Sequence, residues 1–246
     1  MKVEKRAEII KDWIDEYCKE SSFLPKSLVV GISGGIDSSV VSTLCALTGR
    51  KTIVLSMPIK QIKFQHSLSV KHGEWLKKKF KNIDYRTIEM SKIFDSFKNS
   101  LTDYNSEHGL ANSRARLRMS TLYQVAASSL GIVVGTGNKV EDFGVGFYTK
   151  YGDGGVDISP LADCTKSEVW ELGRYLGVSK EIIEAEPTDG LWNDGRTDKD
   201  QLGMTYEELE KAMKNKNDPN YKKFLEIRKK NLHKMKPIPV CKFNDE

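Results

Sequence analysis

Six consecutive residues, Ser33-Gly34-Gly35-Ile36-Asp37-Ser38, combine two glycines, two hydroxyls and one carboxylate. Glycines let the chain turn sharply and bring its backbone close to a ligand. Hydroxyls and free amides at the start of a helix suit an anion, above all a phosphate. Gly31 and Ile32 lead in from the apolar run Leu28-Val29-Val30, and an apolar pattern with helical spacing begins behind Asp37. The whole reads as strand, tight turn, helix. No Lys follows the glycines, so this is not the GxxxxGKS/T phosphate loop. An acid stands in the turn instead, which points to a magnesium ion carried by a nucleotide. The plainer alternative is a turn with Ser or Asp as an N-cap. Ser33, Asp37, Ser38 and Ser39 together exceed what a cap requires.

Such a turn needs a sheet behind it. Apolar spacing predicts an amphipathic helix over residues 3–20, with Ile9, Ile10, Trp13, Ile14 and Tyr17 on its apolar positions. A strand follows at 27–32, then a helix to about Leu47, which Gly49 can end. A second strand covers 51–57. Residues 63–81 read as a helix burying Phe64, Leu68, Trp75, Leu76 and Phe80. A weaker strand at 85–90, a short helix carrying Phe94, Phe97 and Leu101, and a longer helix over about 107–130 come next. Gly131–Gly135 is a buried strand, residues 158–161 are a short strand or extended segment, and 167–176 form a helix ended by Gly177. A charged helical stretch runs from Tyr206 to about Met235. Alternating strands and helices predict an α/β fold: a doubly wound, mostly parallel, Rossmann-like sheet flanked by helices, in a single domain over 1–246. Ligands in such sheets bind at the carboxyl ends of the strands, where Ser33–Ser38 and Thr136–Glu141 fall. Residues 186–204 carry neither periodicity and read as a functional or disordered loop; a mobile lid over substrate and a passive surface loop both fit.

The chain has 246 residues, 39% hydrophobic and 30% charged, enough for one large α/β domain. No run approaches membrane-spanning length and no leader pattern opens the chain, so the expected location is the cytoplasm. The formal charge of +5 is mild, and bases interleave with acids. That suits an anionic small substrate and does not single out nucleic acid. Cys18, Cys45, Cys164 and Cys241 form no CxxC unit, and His66, His72, His108 and His233 are scattered. Neither set predicts a zinc or redox site.

Ser33–Ser38 resembles the SGGxDS loop of the ATP pyrophosphatases, which cleave ATP between the α- and β-phosphates and leave AMP on an acceptor. Several families share that loop, and it alone does not choose among them. Further stretches resemble NAD synthetase in particular. They are Ala115–Met119, Gly135–Glu141, Phe147–Asp157, Pro160-Leu161 followed by Lys166, Glu186–Thr188 and His233-Lys234. The string Phe147-Tyr-Thr-Lys-Tyr-Gly-Asp-Gly-Gly155 is the most specific of them, and the likeness runs from about residue 5 to 237. Gly137-Asn138-Lys139 departs from the more usual start of its segment, and one residue is added between Glu141 and Lys150 relative to some members.

The resemblance implies conversion of deamido-NAD, ATP and ammonia to NAD, AMP and pyrophosphate, with magnesium as cofactor. It implies that Gly31, Ile32, Ser33, Gly34, Gly35, Ile36, Asp37 and Ser38 hold the triphosphate, helped by Thr136, Lys166 and Thr188. Asp37 and Glu141 would be the magnesium ligands. Arg116, Lys150, Asp157, His233 and Lys234 would contact deamido-NAD. Asp153, near the ammonia, and Lys166, on the phosphates, are the expected catalytic residues. It also implies a homodimer. A GMP- or tRNA-directed ATP pyrophosphatase would lack the 147–155 string, and a non-catalytic nucleotide sensor would have little need of both Asp37 and Glu141. About 27 residues precede the first strand and position 2 is Lys. That leaves no N-terminal cysteine nucleophile for a glutaminase, so free ammonia is the expected nitrogen source, unless a separate subunit delivers it.

Overall fold

A computed structural model describes residues 1–61, 63–192 and 195–243, with Lys63 known by its backbone alone. In chain order the elements are α1 (Val3–Glu20), β1 (Ser27–Gly31), α2 (Ile36–Leu47), β2 (Thr52–Ser56), α3 (Lys63–Lys79), β3 (Ile83–Thr87), α4 (Ser91–Asn99), α5 (Glu107–Ser128) and β4 (Gly131–Val133). A π-helix (Lys139–Val145) follows, then α6 (Lys166–Leu176), α7 (Lys180–Ile183), α8 (Asp198–Leu202), α9 (Tyr206–Lys214) and α10 (Tyr221–Met235).

The four strands are all parallel, in the order β3-β2-β1-β4. A bridge from Val134 to Ile158 continues the sheet beyond β4. The chain starts in the middle of the sheet, moves outward to β3, then returns to place β4 on the other side of β1. The connections after β1 and β4 therefore diverge, and the crevice between them opens at the strands' carboxyl ends.

Strand alternation sorts the core. Leu28 and Val30 of β1 face one side, among Ile10 and Ile14 of α1, Val40 and Leu44 of α2, and Val169 and Leu172 of α6. Val29 faces the other side, with Ile53, Leu55 and Val133, under Phe94 of α4 and Ala126 of α5. Side chains that alternate across a pleated strand need apolar cover on both faces, which explains the unbroken apolar reading of β1 and β2. Outside the sheet, Val140 and Val145 of the π-helix pack with Tyr206 and Leu209 of α9 and Phe224 of α10. This satellite core holds the C-terminal helices against the segment that follows β4.

Several expectations shift. In α1 the buried stripe is Ala7, Ile10, Ile14 and Cys18, while Ile9, Trp13 and Tyr17 are exposed. Phe64 is 61% exposed, so the α3 contribution to the core comes from Leu68 and Leu76. β3 lies at 83–87, two residues ahead of the expected strand. It is only half-buried, so its sequence carries little alternation. The C-terminal helical stretch is broken into α9 and α10 around Pro219, which cannot donate a helical hydrogen bond. The expected lid, 186–204, contains α8, and its Asn193 and Asp194 lie outside the described residues. Among the described residues no helix is long and apolar enough to cross a membrane.

Candidate active site

β1 delivers the glycine turn to the mouth of the crevice. Gly34 has φ +90°, and a Cβ there would sit 2.7 Å from the Gln65 carbonyl oxygen and 2.9 Å from the Ser69 nitrogen of α3. Only glycine fits so close an approach in that conformation. α2 begins behind Gly35, whose position carries no side-chain cap. Ser33 and Ser38 do not cap the helix. Ser33 Oγ accepts from the Gly35 N–H at 3.1 Å, and Ser38 Oγ accepts from the Ser33 N–H at 3.2 Å and donates to the Gly35 carbonyl at 3.0 Å. These bonds stiffen the turn and leave the amides of the first turn of α2 for a ligand.

Asp37, in that first turn, meets two distant elements. Lys166 opens α6, where Thr165 and Glu168 form a reciprocal cap. Its Nζ donates to Asp37 Oδ2 at 2.6 Å and to Glu141 Oε1 at 2.6 Å, and its side chain is 3% exposed. Asn138 organises the pair. Its Nδ2 donates to Asp37 Oδ1 at 2.9 Å while its Oδ1 accepts from the N–H groups of Val140 and Glu141 at 3.0 Å, capping the π-helix. Burial lowers the Lys166 pKa, but the two carboxylates outweigh it and hold the pKa above the ordinary value. For Glu141, burial is likewise overcome by the Lys166 ammonium, and its carboxyl is held below the usual range.

The network extends to α8 and α9. Tyr206 Oη lies 2.5 Å from Glu141 Oε1 and 2.6 Å from Asp198 Oδ2. One hydroxyl proton cannot complete both contacts, so a carboxyl proton must complete the other. Of the two carboxyls, Asp198 holds a proton more readily. Burial, then the Glu141 charge, push its pKa up to about 7.

Asp37 and Glu141 are hard oxygen donors whose oxygens already converge on one cation. That chemistry fits magnesium.

All eight residues from Gly31 to Ser38 line a cavity of about 560 Å³, together with Thr136, Glu141, Asp153, Lys166 and Thr188. This is the size of an ordinary small-molecule site. Asp153 opens onto it from the loop after Thr149, whose N–H donates to Asp153 Oδ1 at 3.0 Å. Desolvation by the surrounding walls raises the Asp153 pKa above the usual carboxylate value. Arg118 reaches the same cavity from α5, its Nε donating to the Met57 carbonyl at 2.9 Å. Burial pushes its pKa down to about 10.

Arg116, Lys150, Asp157, His233 and Lys234 are not among the residues lining this cavity. Four of them gather on a neighbouring surface. Arg116 Nε donates to the Lys150 carbonyl at 3.3 Å, and Lys150 Nζ to the His233 carbonyl at 3.3 Å. Lys234 Nζ donates to the Tyr148 carbonyl at 2.7 Å. Asp157 stands apart. It accepts from the Val133 N–H at 2.7 Å and from Tyr123 Oη at 3.0 Å, bracing the end of β4 against α5.

Sequence reasoning passed over Asn138, Asp198, Tyr206 and Arg118. Two signals were present. Thr197 with Asp200, and Thr205 with Glu208, have capping-box spacing and do form such caps, at the starts of α8 and α9. Those helix starts bring Asp198 and Tyr206 inward. Arg118 lies within the Ala115–Met119 stretch, which carried the resemblance without giving this residue a role of its own.

Comparison with known proteins assigns the chain. The family model described as NAD synthase matches residues 6–242. The NH(3)-dependent NAD(+) synthetase of Carboxydothermus hydrogenoformans is 36% identical over 84% of each chain. Among solved structures, the NMN synthetase of Francisella tularensis superposes with a TM-score of 0.90 at 31% identity, covering 99% of this chain and 100% of that one. The NH3-dependent NAD synthetase of Campylobacter jejuni gives a TM-score of 0.77 at 29% identity over 98% and 100%. With the parallel sheet and glycine turn already in place, these matches show that the chain belongs to the NAD synthase family.

Proposed function

We infer that this chain is a carbon–nitrogen ligase that amidates the pyridine carboxylate of deamido-NAD, using ATP and free ammonia and releasing AMP and pyrophosphate. One observation carries the reading: the Gly31–Ser38 turn, the converging acids Asp37 and Glu141, and Asp153 all face a single cavity. Ammonia attacking a carboxylate directly would have to expel oxide, a very poor leaving group. Moving AMP onto the carboxylate first removes that obstacle. The carboxylate oxygen attacks the α-phosphorus in line, and the bond to the β-phosphate oxygen breaks. Catalysis of such transfers rests on positioning and charge neutralisation. The amides of the turn hold the phosphates, Lys166 adds a point charge to them, and Thr136 and Thr188, which line the same cavity, contact the nucleotide.

A magnesium ion held by Asp37 and Glu141 would offset charge on the departing pyrophosphate. Asp153 attracts ammonium into the cavity. Its raised pKa makes it a better acceptor for the proton that must leave nitrogen before attack on the acyl carbon. AMP then leaves. Arg116, Lys150, His233 and Lys234 form the acceptor surface beyond the cavity rim, and a second copy of the chain completes it in a homodimer. Residues 186–204 act as the lid. Asp157 supports the acceptor side through its bonds to Val133 and Tyr123.

A second reading concerns the acceptor. The superposition on an NMN synthetase, at TM-score 0.90, supports nicotinic acid mononucleotide in place of the dinucleotide. Both acceptors present the same carboxylate. The test is to give the purified protein ATP, magnesium and ammonium with each acceptor separately, then measure pyrophosphate and the amide product. The dinucleotide reading expects a higher kcat/KM for deamido-NAD. A higher value for the mononucleotide establishes the second reading, and no amide from either acceptor overturns both. Glutamine in place of ammonium is expected to give no product.

A further inference from the structure

Lys166 fills the space between the two acids of the phosphate end. Its ammonium bridges Asp37 and Glu141, at 2.6 Å from each. Among the described residues, no three acids, histidines or cysteines are grouped to hold a metal. The two acids of the phosphate end are committed to the lysine. We propose that Lys166 is the resident cation of this site, excluding free divalent ions until a nucleotide brings both the ion and a new partner for the ammonium. The inference rests on the reading of Asp37 and Glu141 as magnesium ligands.

The ammonium and the ion compete for the same carboxylate oxygens. An ion arriving alone would strand a buried ammonium, which is strongly unfavourable. The remaining surroundings of Lys166 compensate poorly. The Tyr206 ring lies 4.7 Å from Nζ, and ring attraction to a cation is weaker than a buried ion pair. The lysine also sits in the first turn of α6, where the helix dipole is positive and disfavours a cation. A nucleotide reverses the balance. Its phosphates enter the cavity that Lys166 and the Ser33–Ser38 turn both line, and the ammonium exchanges one anionic partner for another. Every charge stays paired through the exchange. The site therefore binds ion and nucleotide with positive coupling, and by linkage each strengthens the other equally.

Mn²⁺ serves as the probe in place of magnesium, with free Mn²⁺ read by electron paramagnetic resonance. Without nucleotide, Lys166→Met is expected to bind Mn²⁺ more tightly than the wild-type chain by between about 5- and 150-fold, the usual range of site–site coupling. Lys166→Arg retains a cation and is expected to stay at the wild-type value. Equal or weaker binding by Lys166→Met overturns the inference. Adding Asp37→Asn to Lys166→Met is expected to abolish the gain. If the gain persists, the ion sits elsewhere and the magnesium reading fails along with the inference. A measurement on the wild-type chain alone stands independent of how the variants fold. Millimolar Mn²⁺ by itself is expected to leave Tm unchanged, and to raise it further when α,β-methylene-ATP is present. A rise with Mn²⁺ alone as large as with both overturns the inference.

Discussion

At the phosphate end, Lys166 ties Asp37 to Glu141, Asn138 holds Asp37 from behind, and Tyr206 ties Glu141 to Asp198. At the proposed acceptor end, among the described residues, Arg116, Lys150 and Lys234 donate to main-chain carbonyls, and His233 is exposed. The difference follows from burial. Charges taken out of water must be paired within the fold, so the phosphate end is built before substrate arrives. Charges only half-buried or left at the surface, as at the acceptor end, carry less of that demand. They can be rearranged by a ligand, and their geometry alone says little about what they hold. On the proposed reading, the phosphate end sets the reaction type and the acceptor end selects the nicotinic acid nucleotide.

Substitutions can break this contrast. Asp37→Asn is expected to lower pyrophosphate release by about 10³-fold, the scale of losing a group that stabilises developing charge. A loss under tenfold would remove Asp37 from the phosphate machinery. Asp153→Asn is expected to slow amide formation by about 10²-fold, the lower range for a general base. In single-turnover experiments acyl-adenylate should then accumulate. Equal slowing of both steps would deny Asp153 its separate role. Arg116→Ala and Lys150→Ala should each raise the acceptor KM by about tenfold, leaving the ATP KM unchanged, since loss of one charged contact costs roughly 1.5–3 kcal/mol at most. A matching change in the ATP KM would erase the division between the two ends.

The smallest effect is on stability. The folded-state pKa of Asp198, about 7, lies above its ordinary value, so the folded chain binds a proton there that the unfolded chain has released. This group's contribution therefore falls as pH rises from about 4 to about 7 and is constant above that window. Asp198→Asn is expected to gain stability relative to wild type as pH rises from 5 to 8, read by urea melts. A pH-independent difference would show that Asp198 does not hold the proton of the Tyr206 bridge.

Much of the phosphate end was legible in the sequence, because glycine turns and buried charges constrain residue type. Gly34 admits no Cβ, and Asp37, Glu141 and Lys166 were named through the family resemblance, as magnesium and phosphate contacts, while their pairing with one another was not foreseen. The parallel sheet was legible in the two-faced burial of β1 and β2, whereas β3, half-buried, carried a weak signal and shifted. The π-helix was not foreseen, since seven residues are too few for a period to show. Asp198 and Tyr206 escaped for a different reason. Their meeting with Glu141 depends on how α8 and α9 pack, and no local pattern encodes a contact 65 residues apart. Trp13 and Phe64 misled because helical spacing marks a face without saying that anything covers it.

The central claim is that ATP gives AMP to the acceptor carboxylate before nitrogen is used. Exchange of labelled pyrophosphate into ATP, with magnesium present and ammonia withheld, tests it most directly. Exchange is expected when deamido-NAD or the mononucleotide is present, and none when both are omitted. Exchange that appears only after ammonia is added, or that needs no acceptor, would contradict it.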